Sequence, residues 1–170
     1  MRKLVIAAIV LLWAAPALAL DGYQDRRGLF LGVSAGGGLI SPPGGESEFS
    51  KRFGVRVGGG VAENLTLDVS GDFLFMGGDI DGRIFSFYGG GSYFVVPMAF
   101  VRAAIGFSQL KQDFALTNET DPGMAFQLGA GFEMFVNSDL AAGFSVTYDR
   151  QQFDNRGFNL VTGLIGISWY

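Results

Sequence analysis

The stretch Leu65-Thr66-Leu67-Asp68-Val69-Ser70-Gly71-Asp72-Phe73-Leu74-Phe75 has two edges of opposite character. Its odd positions are Leu65, Leu67, Val69, Gly71, Phe73 and Phe75, whereas Thr66, Asp68, Ser70, Asp72 and Leu74 occupy the even ones. Successive side chains of a β-strand point to opposite faces, so this period of two predicts a strand with one greasy and one acidic face. The period recurs along the chain. Over 124–134, Phe126, Leu128, Ala130, Phe132 and Met134 alternate with Gln127, Gly129, Gly131 and Glu133. Over 140–148, Leu140, Ala142, Phe144, Val146 and Tyr148 alternate with small and polar residues, continuing to Asp149. The segment 53–61 opposes Phe53, Val55, Val57 and Val61 to Arg52, Arg56 and glycines. Weaker alternation marks 29–35, 83–94 and 98–107, the last with Arg102 on its polar side. With 158–170 the strands number eight.

Outward from these strands, the chain begins with an export signal. Arg2 and Lys3 precede the apolar run 4–13, and Ala17-Leu18-Ala19 has the small-x-small form of a cleavage site. Residues 1–19 are therefore expected to be a cleaved signal peptide, 20–27 a short periplasmic segment, and 28–170 the folded domain. The apolar run is too short to span a bilayer, and Pro16 breaks a helix there. Removing 1–19 takes two of the 12 basic residues and none of the 16 acidic ones, which leaves a net charge of −6. An acidic chain without a basic run is a poor partner for nucleic acid.

The sequence contains 27 Gly and 17 Phe, is 49% hydrophobic, and has a mean hydropathy of +0.32. Yet no segment after residue 19 approaches the ~18 consecutive apolar residues of a spanning helix. An exported hydrophobic chain without such helices can satisfy its backbone in lipid only as a closed barrel. The expected fold is all-β: an eight-stranded antiparallel up-and-down transmembrane β-barrel in the cell outer membrane. A soluble ligand-binding barrel would reverse the faces. The polar face here combines Gly, Ser and Ala with a few charges of both signs, which suits a narrow filled lumen better than a solvated surface.

Connections are expected to alternate in length. Short ones fall at 62–64, 95–97 and 137–139, and longer ones at 40–50, 77–82, 113–123 and 152–157; an even strand count puts both termini in the periplasm. The lumen then receives Arg52, Arg56, Asp68, Asp72, Arg102, Glu133 and Asp149. Buried charges must pair. Counting from the turns, Arg56 is expected to reach Asp68 and Asp72, and Arg102 to meet Glu133, with the network plugging the lumen and fixing strand register.

Other chemistries lack their residues. The chain has no Cys and no His, which removes disulfides, thiolate catalysis, the usual zinc sites and histidine acid/base chemistry. Asp68 and Asp72, at i and i+4 on a strand, stand about 13 Å apart, too far to act as a pair. No catalytic, cofactor or metal site is expected. Gly36-Gly37-Gly38, Gly58-Gly59-Gly60 and Gly89-Gly90-Gly91 are followed by no helix pattern and no P-loop lysine, so they read as relief of crowding in a curved wall.

Three runs carry a resemblance: Phe126-Gln127-Leu128-Gly129-Ala130-Gly131-Phe132-Glu133, Gly143-Phe144-Ser145-Val146-Thr147-Tyr148, and Gly163-Leu164-Ile165-Gly166-Ile167-Ser168-Trp169-Tyr170. They resemble the last three strands of the OmpA/OmpX-like small outer-membrane β-barrel family. The resemblance implies a terminal aromatic signal for the barrel-assembly machinery, here Trp169 and Tyr170, and contact with outer-membrane lipid and lipopolysaccharide. Val161, Ile165, Ile167 and Trp169 share one parity and Tyr170 has the other. The expected role is a non-enzymatic, monomeric envelope barrel with a structural and surface-exposure function. The alternatives are a narrow porin-like channel for small solutes and an adhesin or receptor-like binder acting through its extracellular loops.

Overall fold

A computed structural model describes residues 26–42, 44–76, 82–114, 117–154 and 156–170, with backbone only over 112–120. The signal peptide 1–19 and most of the connection at 77–82 lie outside the described residues. The strands are β1 (Gly28–Ser41), β2 (Glu48–Ala62), β3 (Leu65–Met76), β4 (Gly82–Phe94), β5 (Ala99–Phe114), β6 (Thr117–Phe135), β7 (Leu140–Phe153) and β8 (Gly157–Trp169). Each pairs antiparallel with the next, and β8 returns to β1 to close a barrel in the order β1 to β8. No helix among the described residues is long and apolar enough to cross a membrane. The strands make the crossing: at about 3.3 Å per residue and a tilt of roughly 40°, even the 12-residue β3 rises about 30 Å.

The alternation seen in β3 is carried around the wall. Leu67, Val69, Phe73 and Phe75 are exposed, and Thr66, Asp68, Ser70, Asp72 and Leu74 are buried in the lumen. Phe126, Phe132 and Phe144 likewise face outward. A wall of exposed Leu, Val, Ile and Phe around a buried polar interior is the membrane arrangement, since a soluble barrel would put those apolar residues inside.

Two expectations about length are corrected. The strands outrun the periodic segments: β5 and β6 reach 16 and 19 residues, so most of the expected loop 113–123 is strand. Ile40, Ser41 and Glu48–Ser50 also belong to β1 and β2, leaving only a short connection where 40–50 was expected. At the extracellular ends the ladder continues through polar residues, because backbone pairing needs no alternation of hydropathy once the wall has left the lipid.

The seam that closes the barrel runs from Leu31 opposite Trp169 to Ser41 opposite Asn159. Gly36 lies within it. A Cβ at Gly36 would stand 1.9 Å from the Gly163 carbonyl oxygen, so only glycine allows β1 and β8 to approach this closely. Gly36→Val is expected to destabilise the barrel by about 1–3 kcal/mol through overpacking against a backbone that cannot withdraw. The measurement is the urea midpoint at which the heat-modifiable band is lost in detergent gels; an unchanged midpoint would refute the close approach.

Candidate functional site

The lumen is built in three storeys. At the extracellular end, Ile40, Leu74, Met76, Ile84, Leu110, Phe153, Phe158 and Leu160 form one buried apolar cluster. The expectation of a polar lumen fails at this level. Leu74, read on the acidic face of β3, is part of this cluster, and the inward parity of β8 brings Phe158 and Leu160 into it. The ends of a narrow lumen can be sealed by dispersion and apolar burial where no charge partner is in reach.

The middle storey holds the charges. Arg52, on β2, reaches across the lumen: Nη1 donates to Asp149 Oδ2 on β7 at 2.7 Å, and Nη2 to Asp72 Oδ2 on β3 at 2.5 Å. Asp149 also accepts from Tyr88 Oη at 3.1 Å, Gln127 Nε2 at 2.9 Å and Thr147 Oγ1 at 3.1 Å. Arg102, on β5, grips Asp68 with both terminal nitrogens, Nη2 to Oδ1 at 2.7 Å, and its Nε donates to Gln127 Oε1 at 2.9 Å. Fork-to-carboxylate geometry of this kind suits arginine.

The bottom storey, at the periplasmic mouth, is organised by Glu133. Its Oε1 accepts from Arg26 Nε at 3.2 Å and from Tyr170 Oη at 2.7 Å, and its Oε2 accepts from Ser168 Oγ at 3.2 Å and lies 3.7 Å from Arg56 Nη2. Arg26 also stacks 3.8 Å over the Phe94 ring and donates to the Pro97 carbonyl at 2.7 Å. Tyr170 packs against Phe30 and Phe135 at centroid distances of 5.3 and 5.1 Å. Burial and the neighbouring Glu133 carboxylate hold the Tyr170 phenol above its ordinary pKa, so it stays a hydrogen-bond donor.

Both expected pairings are corrected. Arg56 meets Glu133 and Ser168 rather than Asp68 and Asp72, which are taken by Arg102 and Arg52. An eight-stranded lumen is narrow enough for a long arginine to span it, so a residue on a distant strand is as near as a neighbour. Arg102 does not meet Glu133. It stands opposite Gly129, four residues above Glu133 on β6, a separation of about 13 Å along the strand.

Arg26, placed in the periplasmic segment by the sequence reading, is 4% exposed inside the mouth. The seven expected lumen residues comprise three arginines and four carboxylates; Arg26 supplies the fourth cation. That imbalance was the one signal in the sequence that pointed to it. Between the middle and bottom storeys a cavity of about 90 Å³ touches Arg52, Arg56, Asp72, Arg102, Gln127 and Glu133. Small inward residues, Gly32, Ser34, Gly54, Gly129 and Gly166 among them, leave this space. Among the described residues no group of His, Cys, Asp and Glu is arranged to hold a metal ion. Trp169 faces lipid at 45% exposure while Tyr170 turns inward, so the parity of β8 holds to its end without a bulge.

A closed eight-stranded wall, apolar outside and plugged with paired charges inside, defines a small outer-membrane β-barrel protein. Solved structures share its fold. Neisserial surface protein A superposes with a TM-score of 0.69 at 12% identity, over 83% of this chain and 96% of that one. Ail, the attachment invasion locus protein of Yersinia pestis, gives 0.60 at 12% identity, over 84% and 99%. OprG of Pseudomonas aeruginosa gives 0.50 at 11% identity, over 88% and 98%. No family model matches the sequence, and no curated protein matches it significantly.

Proposed function

We propose that this chain is a non-enzymatic structural barrel of the outer membrane that does not conduct solutes. One observation carries the reading: the lumen is blocked above and below its cavity of about 90 Å³, by an apolar cluster at one end and a charge-neutral set of four arginines and four carboxylates through the middle and the other end. Buried ions held in such mutual contact are costly to separate, so an ion entering the lumen would have to displace partners already matched. Asp68, Asp72, Glu133 and Asp149, the carboxylates of this set, are each in contact with an arginine.

Residues 1–19 direct export and are removed, and Trp169 with Tyr170 serves as the assembly signal. The Trp169 half of that signal stands on the lipid face, where a membrane-embedded machinery has access. The barrel acts as a monomer, its closure leaving no unpaired edge to recruit a second copy. Planar-bilayer recording tests the reading: the purified barrel is expected to give no resolved single-channel steps in molar potassium chloride. Reproducible steps from heat-modifiable protein would overturn it in favour of a narrow channel.

A further inference from the structure

The cavity between the middle and bottom storeys is enclosed by charges that do not balance. Three arginines line it, Arg52, Arg56 and Arg102, against two carboxylates, Asp72 and Glu133. The lumen network is neutral only as a whole. At the periplasmic end Arg26 and Arg56 share the single carboxylate of Glu133, whereas Arg52 and Arg102 in the middle have Asp68, Asp72 and Asp149 between them. The lower end of the cavity therefore carries one positive charge more than its carboxylate can meet.

That excess sits on Arg56. Arg102 is matched by Asp68 and Gln127, and Arg26 holds one Glu133 oxygen at 3.2 Å. Arg56 reaches the other oxygen only at 3.7 Å, and Ser168 already donates to that oxygen at 3.2 Å. The Arg56 side chain is 22% exposed, where those of Arg26, Arg52 and Arg102 are 5%, 3% and 7% exposed. Its guanidinium is held over the Phe30 ring, 5.0 Å from the centroid. A second, independent sign comes from Arg52. Both of its terminal nitrogens are engaged, but its Nε is buried without a hydrogen-bond partner among the described residues, and the residue lines the same cavity. A charged donor left unpaired in a low-dielectric interior is costly.

We infer that this cavity holds one small monovalent anion of halide size, together with water. A single negative charge cancels the excess on the lining, and a divalent ion would reverse it. About 90 Å³ admits such an ion with several water molecules. Arg56 donates to the anion, and the hydroxyls of Ser34, Ser70 and Ser145, which also line the cavity, rotate to present their protons. Arg52 Nε donates to the water above it. The ion is enclosed as β8 pairs with β1, so it needs no path past the matched partners above and below. It is occluded rather than conducted, a counter-ion that completes the lumen network.

The test refolds the barrel from urea into phosphatidylcholine vesicles in sodium bromide and, at equal ionic strength, in sodium gluconate, whose anion is too large for the cavity. A ligand bound only by the folded state, at about ten times its dissociation constant, raises the folding constant about tenfold, and that is the ratio expected between the two salts. Arg56→Gln makes the lining neutral and is expected to lose the salt dependence; Arg56→Lys keeps the charge and is expected to retain most of it. Crystals of the bromide-refolded barrel are expected to show one anomalous bromide peak in the cavity beside Arg56. Equal folding constants in the two salts, or a ratio that persists in Arg56→Gln, would overturn the proposal, the latter by making the salt effect a general one. Cavity density without anomalous signal would overturn it by leaving water only. A bromide peak without salt dependence in solution would do so by leaving an adventitious ion only. Should Arg56→Gln lose its heat-modifiable band, the two measurements on the unaltered protein decide by themselves.

Discussion

Asp149→Ala is expected to cost the barrel about 3–5 kcal/mol, the range for removing one partner of a buried ion pair. Asp149 is fully buried and accepts from Arg52, Tyr88, Gln127 and Thr147, side chains that come from β2, β4, β6 and β7. Its loss leaves Arg52 with Asp72 as its one carboxylate, beside the Thr147 hydroxyl, and leaves Tyr88 and Gln127 as donors without this acceptor in the low-dielectric middle of the lumen. Urea unfolding in lipid vesicles, followed by the heat-shifted band, measures the change. Asp149→Asn keeps an acceptor oxygen and is expected to lose less. Combining Asp149→Leu with Arg52→Met removes both charges, so the pair should cost less than the sum of the single changes. A loss below about 1 kcal/mol for Asp149→Ala would show that the network fills space without stabilising the wall.

Glu133→Ala is expected to act on closure as well as stability. The Glu133 carboxylate is held by Arg26, just ahead of β1, and by Ser168 and Tyr170, at the end of β8. These are the two strands whose pairing closes the barrel, so one carboxylate fastens both strands at the periplasmic end of the seam. Removing it leaves Arg26 buried without its counter-ion and costs about 3 kcal/mol. Refolding from urea into vesicles should slow several-fold, because β1–β8 pairing has the largest sequence separation in the fold and gains most from added contacts. Tyr170→Phe deletes one hydrogen bond and is expected to cost only about 1 kcal/mol. Glu133→Ala refolding at the unaltered rate and extent would refute the fastening role and leave Glu133 as a passive filler.

The strands of this barrel were legible because lipid on one side and a lumen on the other force a strict period of two. Residues 65–75, 126–134 and 140–149 display that period plainly, and their faces are oriented as it predicts. Strand ends were less legible: beyond the lipid the period carries no penalty, so β5 runs on through Lys111 to Asp113 and β6 begins with Thr117 to Asp121 without an alternating apolar face. The apolar upper storey was hidden for a related reason. Leu74 and Phe158 sit at polar-face parity, and only closure shows that Ile40, Leu110 and Phe153 from other strands meet them there.

The sequence by itself determined the strand count, the neighbour-to-neighbour order and, within the lipid-spanning parts of the strands, which parity turns from lipid, since all of these follow from local alternation and short connections. The partners of the charges were decided by tertiary structure alone. Arg52 with Asp149, Arg56 with Glu133 and Arg26 with Glu133 join residues 97, 77 and 107 positions apart. Such pairs depend on the tilt, stagger and radius of the closed wall, which set the depth at which each side chain enters the lumen and how far it must reach. Those quantities belong to the barrel as a whole, so no strand carries them in its own residues.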